Sequence, residues 1–180
     1  MSFTPATNFN GTAYFQYTAS DGVNSSTATV KVEVGVTKSG SNKNDTWRGT
    51  KGDDLYQGLN GNDTINGGMG NDTLSGGKGN DSFIFNSFNQ GVDTITDFSV
   101  KEDTLVFSAA GFGGNLVAGK VNSNLFTLGT AATSSSHRFI YDAGSGDLFY
   151  DNDGIGGNEQ IKIAQLDSGL SLSNGDLLVS

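Results

Sequence analysis

The chain has 180 residues and a formal net charge of −9, from 10 Lys and Arg against 19 Asp and Glu. Of the acids 16 are Asp and three are Glu (Glu33, Glu102, Glu159), while 27 residues are Gly, one is Pro and none is Cys. That balance argues against a helical protein, since Asp and Gly favour turns, against a nucleic-acid partner and against thiol or disulfide chemistry; no apolar run approaches the ~20 residues of a membrane span.

Residues 1–36 open with Met1 to Gly11, which lacks the basic and then apolar regions of a conventional signal peptide. Two strands follow. Thr12 to Ala19 is aromatic-rich, Asp21-Gly22 offers a turn, and Thr27 to Val36 alternates with Ala28, Val30, Val32, Val34 and Val36 on one face. Two strands bury little, so the unit reads either as part of a larger sandwich or as a small edge hairpin. Thr37 to Asn44 reads as a polar bridge.

A nine-residue repeat then runs without slip, its units starting at Gly40, Gly49, Gly58, Gly67 and Gly76. They read GSNKNDTWR, GTKGDDLYQ, GLNGNDTIN, GGMGNDTLS and GGKGNDSFI. The sixth position is always Asp (Asp45, Asp54, Asp63, Asp72, Asp81) and the eighth is always large and apolar (Trp47, Tyr56, Ile65, Leu74, Phe83). The pattern degrades but persists at Asp93-Thr94-Ile95 and Asp103-Thr104-Leu105. Six residues of Gly-rich turn and three of strand make half a coil, with the eighth side chain inward and the seventh and ninth outward. Stacked at ~4.8 Å, turns 18 residues apart superimpose, so Asp45, Asp63 and Asp81 form one column and Asp54 and Asp72 another. Carboxylates roughly 5 Å apart repel by about 3 kcal/mol at an effective dielectric near 20. Something must therefore bind between the turns. Paired carboxylates and turn carbonyls, with no nitrogen or sulfur ligand, suit Ca²⁺ rather than Zn²⁺ or copper, and Mg²⁺ less well.

These units resemble the RTX, or hemolysin-type, calcium-binding repeat family, over residues 40–84. The resemblance implies an all-β protein: a calcium-stabilised parallel β-roll at residues 37–106, degenerate over 85–106, flanked by strands and closed by a β-rich cap at residues 107–180. It implies that each Ca²⁺ lies between turns one coil apart, held by carbonyls of the first and third residues of the earlier turn, of the second and fourth of the later, and by both Asp. One site then joins Gly40, Asn42 and Asp45 to Leu59, Gly61 and Asp63. A second joins Gly49, Lys51 and Asp54 to Gly68, Gly70 and Asp72, and a third joins Gly58, Asn60 and Asp63 to Gly77, Gly79 and Asp81. A fourth joins Gly67, Met69 and Asp72 to the degraded turn at Gly91 and Asp93, across a three-residue insertion. Three to four ions are expected.

The N-terminal strands resemble the end of cadherin-like or immunoglobulin-like adhesin repeats, through Phe9-Asn10-Gly11-Thr12, Tyr17, Ser20-Asp21-Gly22 and the closing Thr-Val-Lys-Val-Glu-Val. Such sandwiches need ~100 residues, so this reads as a truncated module. Phe85-Asn86 through Gly91 to Phe98 resembles the segment after the roll in exported RTX proteins, which implies a cap and an export signal read by a type I secretion system. Asp176-Leu177-Leu178-Val179-Ser180 is similar to such signals and equally fits a terminal strand. Arg138 to Asp142 and Asp147 to Asp151 read as a hairpin around Ala143 to Gly146, and Glu159 to Leu166 as a further strand. The loop from Asp151 to Gly157 departs from an EF-hand at Ile155 and Lys162, leaving a polar turn or an extra calcium site.

The leading expectation is a non-enzymatic calcium-binding module of a secreted or surface protein, folding on Ca²⁺ outside the cell. Its alternatives are a calcium-dependent adhesin that binds an extracellular surface ligand, and the non-catalytic end of an exported hydrolase. Catalysis within the chain is not expected: with His137 alone no two-His zinc site can form, and no Gly-x-Ser-x-Gly elbow exists. An ice-binding face is not expected either, because the third positions Asn42, Lys51, Asn60, Met69 and Lys78 form no Thr column.

Overall fold

A computed structural model describes residues 3–6, 9–113 and 115–180. Met1, Ser2, Thr7 and Asn8 of the expected N-terminal unit lie outside the described residues. Strands β1 (Gly11–Ser20) and β2 (Ser25–Val34) pair antiparallel from Gly11↔Val34 to Ser20↔Ser25, with cross-strand partners such as Phe15↔Val30. Asp21 closes the turn, its Oδ1 accepting the Val23 and Asn24 N–H groups at 2.9 and 2.7 Å. The hairpin forms a sheet of its own, and most of its outer half is exposed.

The chain then winds into a roll. Strands β3 (Thr37–Ser39), β4 (Thr46–Arg48), β5 (Leu55–Gln57), β6 (Thr64–Asn66), β7 (Thr73–Ser75), β8 (Ser82–Phe85), β9 (Asp93–Ile95) and β10 (Thr104–Phe107) alternate between two parallel sheets. One holds β3-β5-β7-β9 and the other β4-β6-β8-β10. Registers such as Tyr56↔Leu74 and Trp47↔Ile65 keep the eighth positions stacked 18 residues apart. After β8 the coils lengthen to take the insertion, so Leu74 pairs with Ile95 and Phe83 with Leu105. The inward row of Trp47, Tyr56, Ile65, Leu74, Phe83, Ile95 and Leu105 is buried throughout, as strand alternation requires. Trp47 stacks on Tyr56 with ring centroids 4.4 Å apart.

The bridge expected at Thr37 to Asn44 is in part a strand. β3 pairs with β5, and the Leu55 N–H donates to the Val36 carbonyl, so the hairpin runs straight into the first coil. Its three residues are polar and exposed, which is why the apolar pattern did not reveal them.

The cap continues both sheets. A one-turn helix α1 (Ala109–Phe112), β11 (Gly119–Lys120), β12 (Phe126–Leu128), β13 (Phe139–Asp142), β14 (Asp147–Tyr150), β15 (Ile161–Gln165) and β16 (Leu177–Val179) follow β10. β15 joins β9 in parallel, and the β13-β14 hairpin extends that sheet through β14. β16 lies between β10 and β11, with Leu177 and Val179 buried, so the chain's last segment is an interior strand. Phe107, Phe112, Phe139 and Tyr150 close the end of the roll: Phe107 meets Phe139 at 4.6 Å, and the Tyr150 hydroxyl donates to the Phe112 carbonyl at 2.8 Å. No helix among the described residues is long and apolar enough to cross a membrane, which says nothing of a β-barrel.

Candidate metal centre

The Asp columns form as stacking requires, and each carboxylate divides its two oxygens between two tasks. Oδ1 of Asp63, Asp72 and Asp81 accepts the backbone N–H of Asp45, Asp54 and Asp63 respectively, one coil earlier, each at 2.8 Å. Asp93 and Asp103 continue the ladder, accepting from Asp72 at 3.2 Å and Asp81 at 2.9 Å. A second ladder runs beside it at the fifth positions. Asn44 accepts from the Asn62 N–H, Asn62 from that of Asn80, and Asp53 from that of Asn71. The sequence showed Asn before Asp in most units, but not that its side chain would pin the next coil.

Among the described residues, the Oδ2 of the column is buried without a partner in three turns. Asp63, Asp72 and Asp81 are each 1% exposed, and their Oδ2 atoms have no hydrogen-bond partner. Each such oxygen lies against the first glycine of its own unit: a Cβ on Gly58, Gly67 or Gly76 would overlap it. A Cβ on Gly58 would also overlap the Gly76 carbonyl oxygen, which places that carbonyl and Asp63 Oδ2 around one space between two coils. A buried carboxylate oxygen without a partner is costly, and a cation in that space removes the cost.

The carbonyls converge on the same gaps, in the opposite sense to the one the resemblance implied. Second and fourth carbonyls face the later turn: a Cβ on Gly77 would overlap the Leu59 oxygen, and one on Gly79 the Gly61 oxygen. First and third carbonyls face the earlier turn, since Gly58 oxygen approaches Gly40 and Lys78 oxygen accepts the Gly61 N–H at 2.9 Å. The gap between the turns at Gly58 and Gly76 is therefore bordered by Leu59, Gly61 and Asp63 below and by Gly76, Lys78 and Asp81 above. Gly76 and Lys78 were absent from the sequence-derived candidates. Gly68, Gly70 and Asp72 border the gap below Asp93, where the Gly70 N–H meets the Gln90 carbonyl at 2.8 Å.

Among the described residues no three His, Cys, Asp or Glu side chains converge as a metal cluster. Each gap brings two carboxylates, so carbonyls must supply the other ligands, a donor set of oxygens alone that fits Ca²⁺. The Asp151 loop is organised by its own hydrogen bonds, Asp151 Oδ1 accepting the Asp153 and Gly154 N–H groups at 3.0 and 2.8 Å. His137 is partly exposed and stands at the Thr133 N–H, 3.2 Å from it.

Burial raises the Asp72 and Asp81 carboxyls to about 6 and Asp93 to about 7, with repulsion from neighbouring carboxylates adding to it and ladder hydrogen bonds opposing it. The folded, metal-free chain thus holds protons that the unfolded chain releases near its ordinary value of 3.8. Its stability falls as pH rises from about 4 through 7, and a cation must displace those protons. Calcium binding is expected to be about tenfold weaker at pH 5 than at pH 8 for each displaced proton with a pKa of about 6. Calorimetric titration at the two pH values checks this; equal affinities contradict it.

Gly67→Ala offers a steric check, because its Cβ would overlap Asp72 Oδ2 and stand 2.8 Å from Cγ. Overpacking of this kind costs about 1–3 kcal/mol, and calcium affinity should fall with it. Gly157→Ala, where nothing lies within 4 Å, should melt like the parent chain.

The RTX calcium-binding nonapeptide repeat profile matches residues 48–83 in four copies, and a cadherin-like domain profile matches residues 1–35. No curated protein matches the chain in sequence. Among solved structures, the AlgE6R3 subunit of the Azotobacter vinelandii mannuronan C5-epimerase is 24% identical at TM-score 0.43, over 77% of this chain and 80% of that one. The AlgE6R2 subunit of the same epimerase is 23% identical at TM-score 0.43, over 80% and 91%. The extracellular lipase LipA of Serratia marcescens is 17% identical at TM-score 0.35, over 93% of this chain and 26% of that one. Residues 48–83 are RTX calcium-binding nonapeptide repeats, wound here into a parallel β-roll.

Proposed function

We propose that the chain is a non-catalytic module of a secreted protein that folds around calcium ions held between the coils of its roll. The observation that carries this reading is the orphaned Oδ2 of Asp63, Asp72 and Asp81, each buried against the first glycine of its own turn and, for Asp63, beside the Gly76 carbonyl of the adjoining coil. Bound Ca²⁺ would supply positive charge between successive carboxylates of one Asp column. Leu59 and Gly61 carbonyls with Asp63 Oδ2 would hold it from the earlier turn, and Gly76 and Lys78 carbonyls with Asp81 from the later. Extracellular calcium modules bind at about 10⁻⁴–10⁻³ M, so such a module stays empty at cytosolic calcium and loads after export. The type I secretion route rests on the family resemblance of the segment after the roll.

Adhesion is a second reading, favoured by the cadherin-like match over residues 1–35. In it the roll would stiffen an adhesin at extracellular calcium. Calorimetric titration with Ca²⁺ and separately with Mg²⁺ tests the primary reading. Saturable Ca²⁺ binding with a weaker Mg²⁺ response is expected; no response to Ca²⁺ overturns it.

A further inference from the structure

The repeat hides two different turns. In the turns that start at Gly40 and Gly49 the second residue is Ser41 or Thr50, and its backbone N–H donates to Oδ2 of its own Asp, at 2.6 Å in both. The hydroxyls reinforce this: Ser41 Oγ reaches Asp45 Oδ2 at 2.9 Å, and Thr50 Oγ1 reaches Asp54 Oδ1 at 3.0 Å. The same arrangement returns beyond the insertion, where the Ser99 N–H donates to Asp103 Oδ2 at 2.8 Å.

In the three turns that start at Gly58, Gly67 and Gly76, the second residue is left-handed. Leu59, Gly68 and Gly77 have φ of 81°, 102° and 92°. Their N–H groups leave the Asp, and that of Gly77 donates instead to Asp97 Oδ2 at 2.9 Å. These are the turns whose Asp Oδ2 is orphaned. The fourth residue follows the second rather than leading it. Gly61, Gly70 and Gly79 have φ of 125°, 118° and 131°, whereas Gly52, also a glycine at the fourth position, is absent from the left-handed residues. Leu59 is the telling case, because a non-glycine residue at positive φ is uncommon and carries strain.

A backbone N–H and a cation compete for one carboxylate oxygen. Where the N–H takes Oδ2, the gap loses a ligand and gains a donor pointing at the ion's side of the carboxylate. We infer that the second residue of each turn decides whether the gap above it takes calcium: Ser41 and Thr50 close the gaps above Asp45 and Asp54, while Leu59, Gly68 and Gly77 open those above Asp63, Asp72 and Asp81. The roll then carries a central block of three cation positions bounded by self-capped turns. This rests on the calcium reading above and changes its stoichiometry, since the gaps between Asp45 and Asp63 and between Asp54 and Asp72 drop out.

The test is a calorimetric titration of calcium into the full chain and into Thr50→Gly and Leu59→Thr, with circular dichroism at saturating calcium to establish folding. Three ions are expected for the parent chain. Thr50→Gly removes the hydroxyl and permits the left-handed turn, and the count should rise to four; Leu59→Thr should lower it to two. Zero ions in the parent chain overturns the calcium reading itself. Calcium binding by the parent chain with an unchanged count in Thr50→Gly overturns this inference alone. Should Leu59→Thr fail to fold, the Thr50→Gly count decides by itself.

Discussion

In excess chelator the chain is expected to lose the β signal of residues 37–107, and to regain it on adding calcium. At a free concentration 100 times Kd, each occupied site stabilises the folded state by about 2.7 kcal/mol, so three contribute about 8 kcal/mol. That is comparable to the whole stability of an ordinary domain, about 5–15 kcal/mol. The opposing term is visible in the structure: Asp72 has Asp54 and Asp93 in its column, and burial with this repulsion raises its pKa to about 6. Circular dichroism reports the transition, and Trp47, buried and stacked on Tyr56, reports it by fluorescence. Identical spectra in chelator and calcium contradict the coupling.

Phe83→Ala should be the most damaging core substitution, at about 3–5 kcal/mol. Phe83 is fully buried, lies between Ile65 and Leu105 in its sheet, and stands 6.1 Å from the Phe98 ring. Ile65 and Leu105, its neighbours in the sheet, are themselves fully buried, so few side chains can move into the space that Phe83 leaves. Val117→Ala, at a residue 78% exposed, should stay within about 0.5 kcal/mol. Thermal melts at saturating calcium measure both. A Phe83→Ala chain that melts with Val117→Ala contradicts the account of the core.

Much of the roll was legible because one period governs both its faces. Asp at the sixth position and an apolar residue at the eighth place Ile65 inward and Asp63 at the turn, and the structure has both there. The two-stranded hairpin and the β13-β14 hairpin followed from alternation and turn residues in the same way. Three features were not legible, each for a physical reason. β3 is polar and exposed, so its pairing depends on backbone bonds that carry no side-chain signature. Whether an Asp Oδ2 is left without a partner goes with the sign of φ at the second residue of its turn, and Leu59 adopts a conformation that its type does not announce. The pairing of β16 with β10 joins residues far apart in the chain, where a short apolar run fits a strand and an export signal alike.

The location of calcium tests the central claim most directly. An anomalous difference map from crystals grown in calcium should show ions between Asp63 and Asp81, between Asp72 and Asp93, and between Asp81 and Asp103. A map with those gaps empty, or with calcium confined to the loop from Asp151 to Gly157, would contradict it.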